Sequence, residues 1–264
     1  MTNKEHISIT LDENLIRWLD KRVNGYSIKN RSHAIEKLLL KAMNEECLNQ
    51  AVILCGGNKD ETPKAMTLID KKPALEHTIE YLKKQDITDI ILIVNYNYDK
   101  IISYFGKGTK YDINIRYIIE DEPLGTVGFL KSAKGMINNT FMLLYGDILF
   151  NVDVNDMLKV HRNHKATVTM ALTTSTDTSS YGVVKLKGEK ITKFIEKPSA
   201  EESPSHLINA GLFIIEPRLL ELLPHEDNKI MLENIFTNLC NEGKLAGYVY
   251  DGRWTHIGNG NGGN

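Results

Sequence analysis

The chain opens with an alternation in which Ile7, Ile9 and Leu11 are separated by Ser8 and Thr10, the two-residue period of a short strand with one apolar face. Asp12 follows as a helix N-cap. Leu15, Trp18, Leu19 and Val23 then recur at helical spacing over residues 13–23, before Asn24-Gly25, a pair that tolerates a left-handed stop. Ser32 is placed to cap a second helix, supported by Glu36, with Ile35, Leu38, Leu39, Ala42 and Met43 as its apolar stripe. A strand-helix-helix unit of this size is too small to bury a core, and its lone strand has no partner for its backbone groups. Pairing with a second copy cures both defects, so a homodimer or larger assembly through residues 1–46 is expected.

Beyond a polar join at Asn44-Glu45-Glu46 the period changes. Continuous apolar runs at 51–54 and 90–94 are the pattern of strands buried on both faces, and a helix is predicted over 73–84 with Leu75, Ile79 and Leu82 inward. Further strands are predicted at 115–119, 141–145, 167–172, 183–186 and 208–215, with helical stretches between several of them. This alternation predicts an α/β fold with a mostly parallel central sheet and ligands at the strands' carboxyl ends. The second domain is taken as 47–264.

The 264 residues are 42% hydrophobic and 25% charged, the balance of an ordinary globular protein. With 32 Lys and Arg against 34 Asp and Glu, the net charge of −2 excludes the overall basicity of a bulk nucleic-acid binder. Cys47, Cys55 and Cys240 form no CxxC pair, which argues against a disulfide framework or a zinc knuckle and for a reducing compartment. The N-terminus lacks the apolar core of a signal peptide and no run approaches a membrane span, so a cytoplasmic protein without a membrane partner is expected.

Two resemblances add function. Ile7-Ser8-Ile9-Thr10-Leu11, a helix, Gly25, and Asn30-Arg31-Ser32-His33-Ala34-Ile35 resemble the ribbon-helix-helix family, in which two chains pair their strands into a ribbon that enters the major groove of DNA. The resemblance implies that His6, Ser8 and Thr10 face bases and that Arg31 and Ser32 hold a phosphate. Residues 1–46 carry nearly as many acids as bases, and pure dimerisation is the alternative. Over residues 50–259, nine landmarks stand in order. They are Leu54-Cys55-Gly56-Gly57, Pro63-Lys64, Lys72-Pro73-Ala74-Leu75-Glu76, Pro123-Leu124-Gly125-Thr126-Val127-Gly128, Gly146-Asp147, Tyr181-Gly182-Val183, Glu196-Lys197-Pro198, Asn209-Ala210-Gly211 and Trp254-Thr255-His256-Ile257-Gly258. The series is similar to the sugar-1-phosphate nucleotidylyltransferase family.

That similarity implies a Rossmann-like domain that joins a nucleoside triphosphate to a sugar 1-phosphate and releases pyrophosphate. By it, Leu54, Gly56, Gly57 and Lys59 would approach the nucleotide, Lys64 would contact its phosphates, and Leu124, Gly125 and Thr126 would border base and ribose. Asp147 would ligate Mg²⁺, with Mn²⁺ or another divalent ion as alternatives. Gly182, Glu196 and Asn209 would line the sugar pocket, and Lys197 would clamp the sugar phosphate. Lys64, Asp147 and Lys197 are thus the candidate catalytic residues. The segment 123–128 resembles guanylyl- and uridylyl-transferring members more than thymidylyl ones.

Two departures qualify the similarity. Only residues 58–62 separate Gly57 from Pro63, so the family's Gly-Thr-Arg segment and its triphosphate-gripping arginine are missing, and Lys59 is the nearby cation. His256 stands where the family has a metal-binding aspartate; it is carried as a second metal candidate, although imidazole suits Mg²⁺ poorly, and Asp251 is a conceivable replacement. The tail at 259–264 is expected to be flexible, with no β-helix or acetyltransferase extension. Three readings follow: a working nucleotidylyltransferase assembled through residues 1–46, a transcription regulator with a catalytically weak sensing domain, or an inactive partner subunit of another transferase.

Overall fold

The structure is a computed structural model that describes residues 5–23, 28–46, 48–120, 125–223 and 231–257. The chain divides into two compact units, Met1–Cys47 and Leu48–Asn264. In the first, Asp12 caps helix α1 (Glu13–Asp20) by accepting from the Asn14 amide at 2.8 Å. The helix stops short of Val23; Asn24-Gly25, the expected stop, lies outside the described residues. The strand expected at 7–11 does not form. Residues 5–12 lie outside regular secondary structure, with Ile7 70% and Ile9 52% exposed, because an extended segment in a single chain has no ladder to join. Helix α2 (Arg31–Glu46) is capped by Asn30 rather than Ser32: Asn30 Oδ1 accepts from the His33 amide at 2.9 Å, and Ser32 falls in the first turn.

The second unit holds the strands β1 (Gln50–Cys55), β2 (Leu68–Ile69), β3 (Lys72–Pro73), β4 (Asp89–Val94), β5 (Asn114–Ile119), β6 (Phe141–Tyr145) and β7 (Ile148–Phe150). They continue with β8 (Val168–Thr174), β9 (Gly182–Lys187), β10 (Lys190–Glu196), β11 (Leu207–Ile215), β12 (Leu245–Val249) and β13 (Trp254–His256). Its helices are α3 (Ala74–Lys84), α4 (Asp99–Phe105), α5 (Gly125–Ala133), α6 (Val154–Asn163) and α7 (Glu233–Glu242).

Nine strands form one sheet in the order β5-β4-β1-β6-β11-β8-β12-β10-β9. The sheet is mixed, which corrects the expectation of a mostly parallel one. Pairing is parallel along β5-β4-β1-β6 and between β8 and β12, whereas β11 runs against both β6 and β8, and β10 runs against β12 and β9. An apolar run does not encode strand direction. The short β9–β10 connection, turning at Gly188 with φ +60°, can only make a hairpin.

Burial on two faces explains the continuous apolar runs. Ala51, Ile53, Ile90, Leu92, Met142 and Leu144 enter one core with α3, α4 and α6, represented by Leu75, Ile79, Ile101 and Met157. Val52, Leu54, Ile91, Ile93, Phe141 and Leu143 enter the other with α5 and α7, represented by Leu130, Phe236 and Leu239. The parallel strands β1 and β6 end together, Leu54 in register with Tyr145, so the loops after them open on one side of the sheet. There β7 and β13 pair antiparallel as a separate two-stranded sheet.

Candidate active site

Asp147 follows Gly146 after the end of β6, in the turn that leads into β7. Gly146 makes that turn possible: its amide donates to the Leu54 carbonyl at 2.9 Å, and a Cβ there would lie 2.7 Å from Cys55 Sγ and 3.2 Å from the Leu54 oxygen. The Asp147 carbonyl in turn accepts from the Ile257 amide at 2.8 Å, which ties the turn to the end of β13. The turn is thereby held from both sides.

Two clefts meet at this residue. The first, about 140 Å³, is lined by Leu54, Cys55, Gly56, Ala65, Phe129, Tyr145, Gly146 and Asp147. Backbone dominates its polar surface. The Gly57 amide is held by Asn95 Oδ1 at 2.9 Å, and Asn97 Nδ2 donates to the carbonyls of Lys59 and Glu61, both at 2.9 Å, so the short 58–62 loop is pinned to the β4–α4 connection. Burial drives the Cys55 thiol far above its usual range, which leaves it a packing group. Lys64 opens a single 3₁₀ turn, Lys64–Met66, next to Ala65; its side chain, like that of Lys59, is exposed and is not among those lining the cleft.

The expected base-side residues divide. Gly125, at φ +75°, starts α5, a backbone that favours glycine. Thr126 is only 4% exposed and its hydroxyl accepts from the Leu232 amide at 2.6 Å, so it serves the start of α7 and does not face a ligand. Leu124 lies outside the described residues, as does the 259–264 tail.

The second cleft, about 260 Å³, takes Tyr145 and Asp147 from the shared edge and adds Tyr181, Gly182, Glu196, Lys197, Asn209, Glu233, Trp254 and His256, among others. Antiparallel strands supply most of these groups. A bulge between Asn209 and Phe213 re-aims the middle of β11; Gly211 sits at φ +75°, and Asn209 Oδ1 accepts from its amide at 2.9 Å. A Cβ on Gly182 would lie 2.6 Å from the Phe194 ring and 2.8 Å from Glu196 Oε2, so glycine there lets the Glu196 carboxylate lie against the strand. Lys197 adopts φ +45° while its amide donates to the Tyr181 carbonyl at 3.0 Å, a left-handed backbone of the kind that clusters at functional sites. Trp254 Nε1 donates to the Ala210 carbonyl at 2.9 Å, and the Tyr181 ring stands edge-on to Trp254 at 5.5 Å.

Electrostatics set this cleft apart. Partial burial first, and then the Glu233 carboxylate, push the Glu196 carboxyl up, with Lys197 acting against them. Burial first and Glu233 next also push the Tyr145 phenol well above its usual range, so it stays protonated and donates to Glu233 Oε1 at 3.1 Å. Sequence reasoning passed over Tyr145, Tyr181, Trp254 and Glu233 as ligand-facing groups. Glu233 carries no motif; an acid in a helix's first turn is ordinary.

The metal candidates take unequal places. Asp147 presents a hard oxygen donor with a quarter of its side chain exposed, which suits Mg²⁺ shared with ligand phosphates. His256 Nε2 lies 3.3 Å from Asp147 Oδ2, and Nδ1 is buried without a partner among the described residues. In the tautomer that carries its proton on Nε2, His256 donates to the Asp147 carboxylate. His256 thus stands in contact with Asp147 in the second cleft. Asp251 is exposed and lines neither cleft, and no cluster of three His, Cys, Asp or Glu side chains that could hold a metal occurs among the described residues.

The expected DNA-facing residues His6, Ser8 and Thr10 are exposed on the segment that forms no strand. Arg31 is exposed as well. Its guanidinium makes a bidentate pair with Asp20, Nε to Oδ1 at 2.6 Å and Nη2 to Oδ2 at 2.8 Å, which joins α1 to α2. Ser32 is exposed beside it.

Known proteins share the second unit. Residues 51–262 match the family model described as nucleotidyl transferase. The bifunctional protein GlmU of Methanococcus maripaludis is 35% identical over 220 residues, which is 79% of this chain and 51% of that protein. A mannose-1-phosphate guanyltransferase of Aspergillus oryzae is 32% identical over 203 residues, 74% of this chain and 55% of that one. The chain thus spans about half the length of the curated relatives it matches. Among solved structures, HddC from Yersinia pseudotuberculosis complexed with GMP-PN superposes with a TM-score of 0.67 at 27% identity, covering 80% of this chain and 94% of that one. A family match over most of the chain, with relatives above 30% identity and the glycine turns and paired clefts built as described, places this chain in the nucleotidyl transferase family.

Proposed function

We propose that the second unit transfers a nucleotidyl group from a nucleoside triphosphate to a sugar 1-phosphate. The observation that carries this reading is the position of Asp147, one carboxylate on the shared edge of two clefts. The nucleotide lies in the first cleft, along Leu54, Gly56 and Gly57 with Lys59 and Lys64 beside it, and the sugar phosphate in the second, near Lys197, Glu196 and Asn209. An oxygen of the sugar phosphate attacks the α-phosphorus in line, a new P–O bond forms, and the α–β bridging bond breaks with its electron pair leaving on pyrophosphate. By the family resemblance, Lys64 would contact the nucleotide phosphates and Lys197, which lines the second cleft, the sugar phosphate. Asp147 would hold Mg²⁺ or Mn²⁺, which would supply charge neutralisation there. GTP with mannose 1-phosphate heads the substrate panel, on the strength of the guanyltransferase relative and of the HddC complex with GMP-PN. The test is pyrophosphate release across nucleoside triphosphates and hexose 1-phosphates with each metal. Turnover that requires both substrates and a metal is the expected result; none with any pair would remove the reading in favour of a sensor or an inactive partner subunit.

A second reading concerns residues 1–46, which we take to be a ribbon-helix-helix assembly module. Ile7, Ile9, Leu15, Trp18 and Leu39 are between 41% and 70% exposed in a single chain, an apolar set that a second copy would cover while pairing the 7–11 segments. Residues 1–46 carry nearly as many acids as bases, so assembly is favoured over DNA contact. Deleting residues 1–46 should convert a dimer at micromolar concentration into a monomer in sedimentation, with turnover retained. A full chain that sediments as a monomer would refute the module.

A further inference from the structure

We propose that Glu233 is a specificity-determining residue that accepts a hydroxyl hydrogen of the sugar ring on its unpaired carboxylate oxygen. The inference rests on the sugar 1-phosphate reading of the second cleft.

Glu233 is the first residue of α7 and lines that cleft. Its Oε1 accepts from the Tyr145 phenol, whereas its Oε2 is buried and has no hydrogen-bond partner among the described residues. A carboxylate oxygen cut off from water without a donor is costly, and it is an acceptor only, so what completes it must bring an O–H or N–H. Phosphate groups bring none. The ring hydroxyls of a sugar bring several, and they extend the ligand away from the phosphate clamped at Lys197. Glu196 lines the same cleft, so a ligand held there meets two carboxylates.

Two neighbours hold Glu233 in place. Tyr145 belongs to β6, two positions before Asp147, and its donation fixes one oxygen. Thr126 fixes the helix: its buried hydroxyl accepts from the amide of Leu232, the residue just before Glu233. Thr126 is thereby a positioning residue, linking the start of α5 on the first cleft's side to the sugar reader on the second.

The test is steady-state kinetics of the full chain with the nucleotide and the hexose 1-phosphate that support the most turnover. Glu233→Gln keeps an oxygen for Tyr145 and replaces the free acceptor by an amide donor. The expected result is a rise of roughly tenfold or more in KM for the sugar 1-phosphate, since a hydrogen bond to a charged group is lost, with KM for the nucleotide within about twofold. Against the 2-, 3-, 4- and 6-deoxy sugar 1-phosphates, wild type and variant should converge on one analogue, the one lacking the hydroxyl that is read. Glu233→Asp, which keeps the charge, should fall between the two and serves in its place if the amide variant does not fold. Thr126→Val should raise the same KM by a smaller factor with kcat nearly unchanged. Unaltered KM in Glu233→Gln, or an equal penalty on every deoxy analogue, would overturn the inference while wild-type turnover left the parent reading intact. A wild type inert with every hexose 1-phosphate would overturn both.

Discussion

The wall that continues β1 and β6 brings glycine backbone at Gly56 and Gly146 and apolar side chains to the first cleft, whereas the wall made by β9, β10, β11 and α7 offers the side chains of Glu196, Lys197, Asn209 and Glu233. The difference follows from the sheet. Parallel strands end together and leave loops in which glycines let a ligand come close to the main chain. Antiparallel strands and a bulge set side chains one by one at chosen places, which suits a ring whose hydroxyls must be told apart. Asp147 is common to both walls.

The sharpest way to break the comparison is to remove what the walls share. Asp147→Asn keeps the turn and its shape but not the charge, and metal-supported turnover should fall by at least about a thousandfold, several kcal/mol of barrier. The melting temperature should stay close to that of wild type; a variant that keeps most of its turnover would show that the clefts do not converge on this carboxylate.

A smaller effect tests whether the first wall depends on backbone approach. In Gly146→Ala the new methyl meets Cys55 Sγ at 2.7 Å and the Leu54 oxygen at 3.2 Å, and overpacking of that kind costs about 1–3 kcal/mol. Adding Cys55→Ala should return part of that loss in urea unfolding, because the sulfur is the nearer obstacle. No recovery would assign the whole cost to the carbonyl.

The smallest effect lies away from both clefts. Glu216, just past β11, accepts from Thr140 Oγ1 at 2.8 Å and pairs with the buried His161 at 3.0 Å. The His161 contact is the main cause that holds its carboxyl below the usual carboxylate range, with the Thr140 bond adding to it against the opposing effect of burial. A depressed carboxyl stabilises the fold above its unfolded value, and that contribution is lost as pH falls through the folded value. Glu216→Gln should therefore cost about 1–2 kcal/mol at neutral pH, and the gap to wild type should narrow as pH drops through the acid range below 4. Both Michaelis constants should be unmoved; a change in either would mean that the antiparallel half transmits strain to the site.

Much of this plan is legible in the residues. The runs at 51–54, 90–94 and 141–145 announce strands because two buried faces leave no place for a polar side chain, and Gly146-Asp147 and Glu196-Lys197 stand out as motif. Strand direction is not written in such runs, so the reversal of β11 and the hairpin β9–β10 escape a sequence reading. In β10 the lysines alternate with Ile191 and Phe194 and weaken the apolar signal, while β7 and β13 are three residues each and exist only by pairing with each other. Tyr145 reads as the end of a core strand, and Glu233 as a routine first-turn acid. What reveals them is an unpaired oxygen in space, which no spacing encodes. The 7–11 alternation marks the opposite case: its pattern is plain, and a single chain gives it nothing to pair with.

The bracing of Asp147 by β13 has a consequence for biosynthesis. His256 reaches back to a carboxylate 109 positions earlier, and the Ile257 amide closes on the Asp147 carbonyl. A ribosome that has delivered every strand of the nine-stranded sheet has still not delivered the segment that steadies the shared edge of the two clefts. The nascent protein can collapse around its two cores well before that point, in keeping with domains folding as they are made. The brace on Asp147 should arrive last, once residues 254–257 are free to pair with β7, so that an interrupted translation product is folded over most of its length and yet lacks a steadied carboxylate.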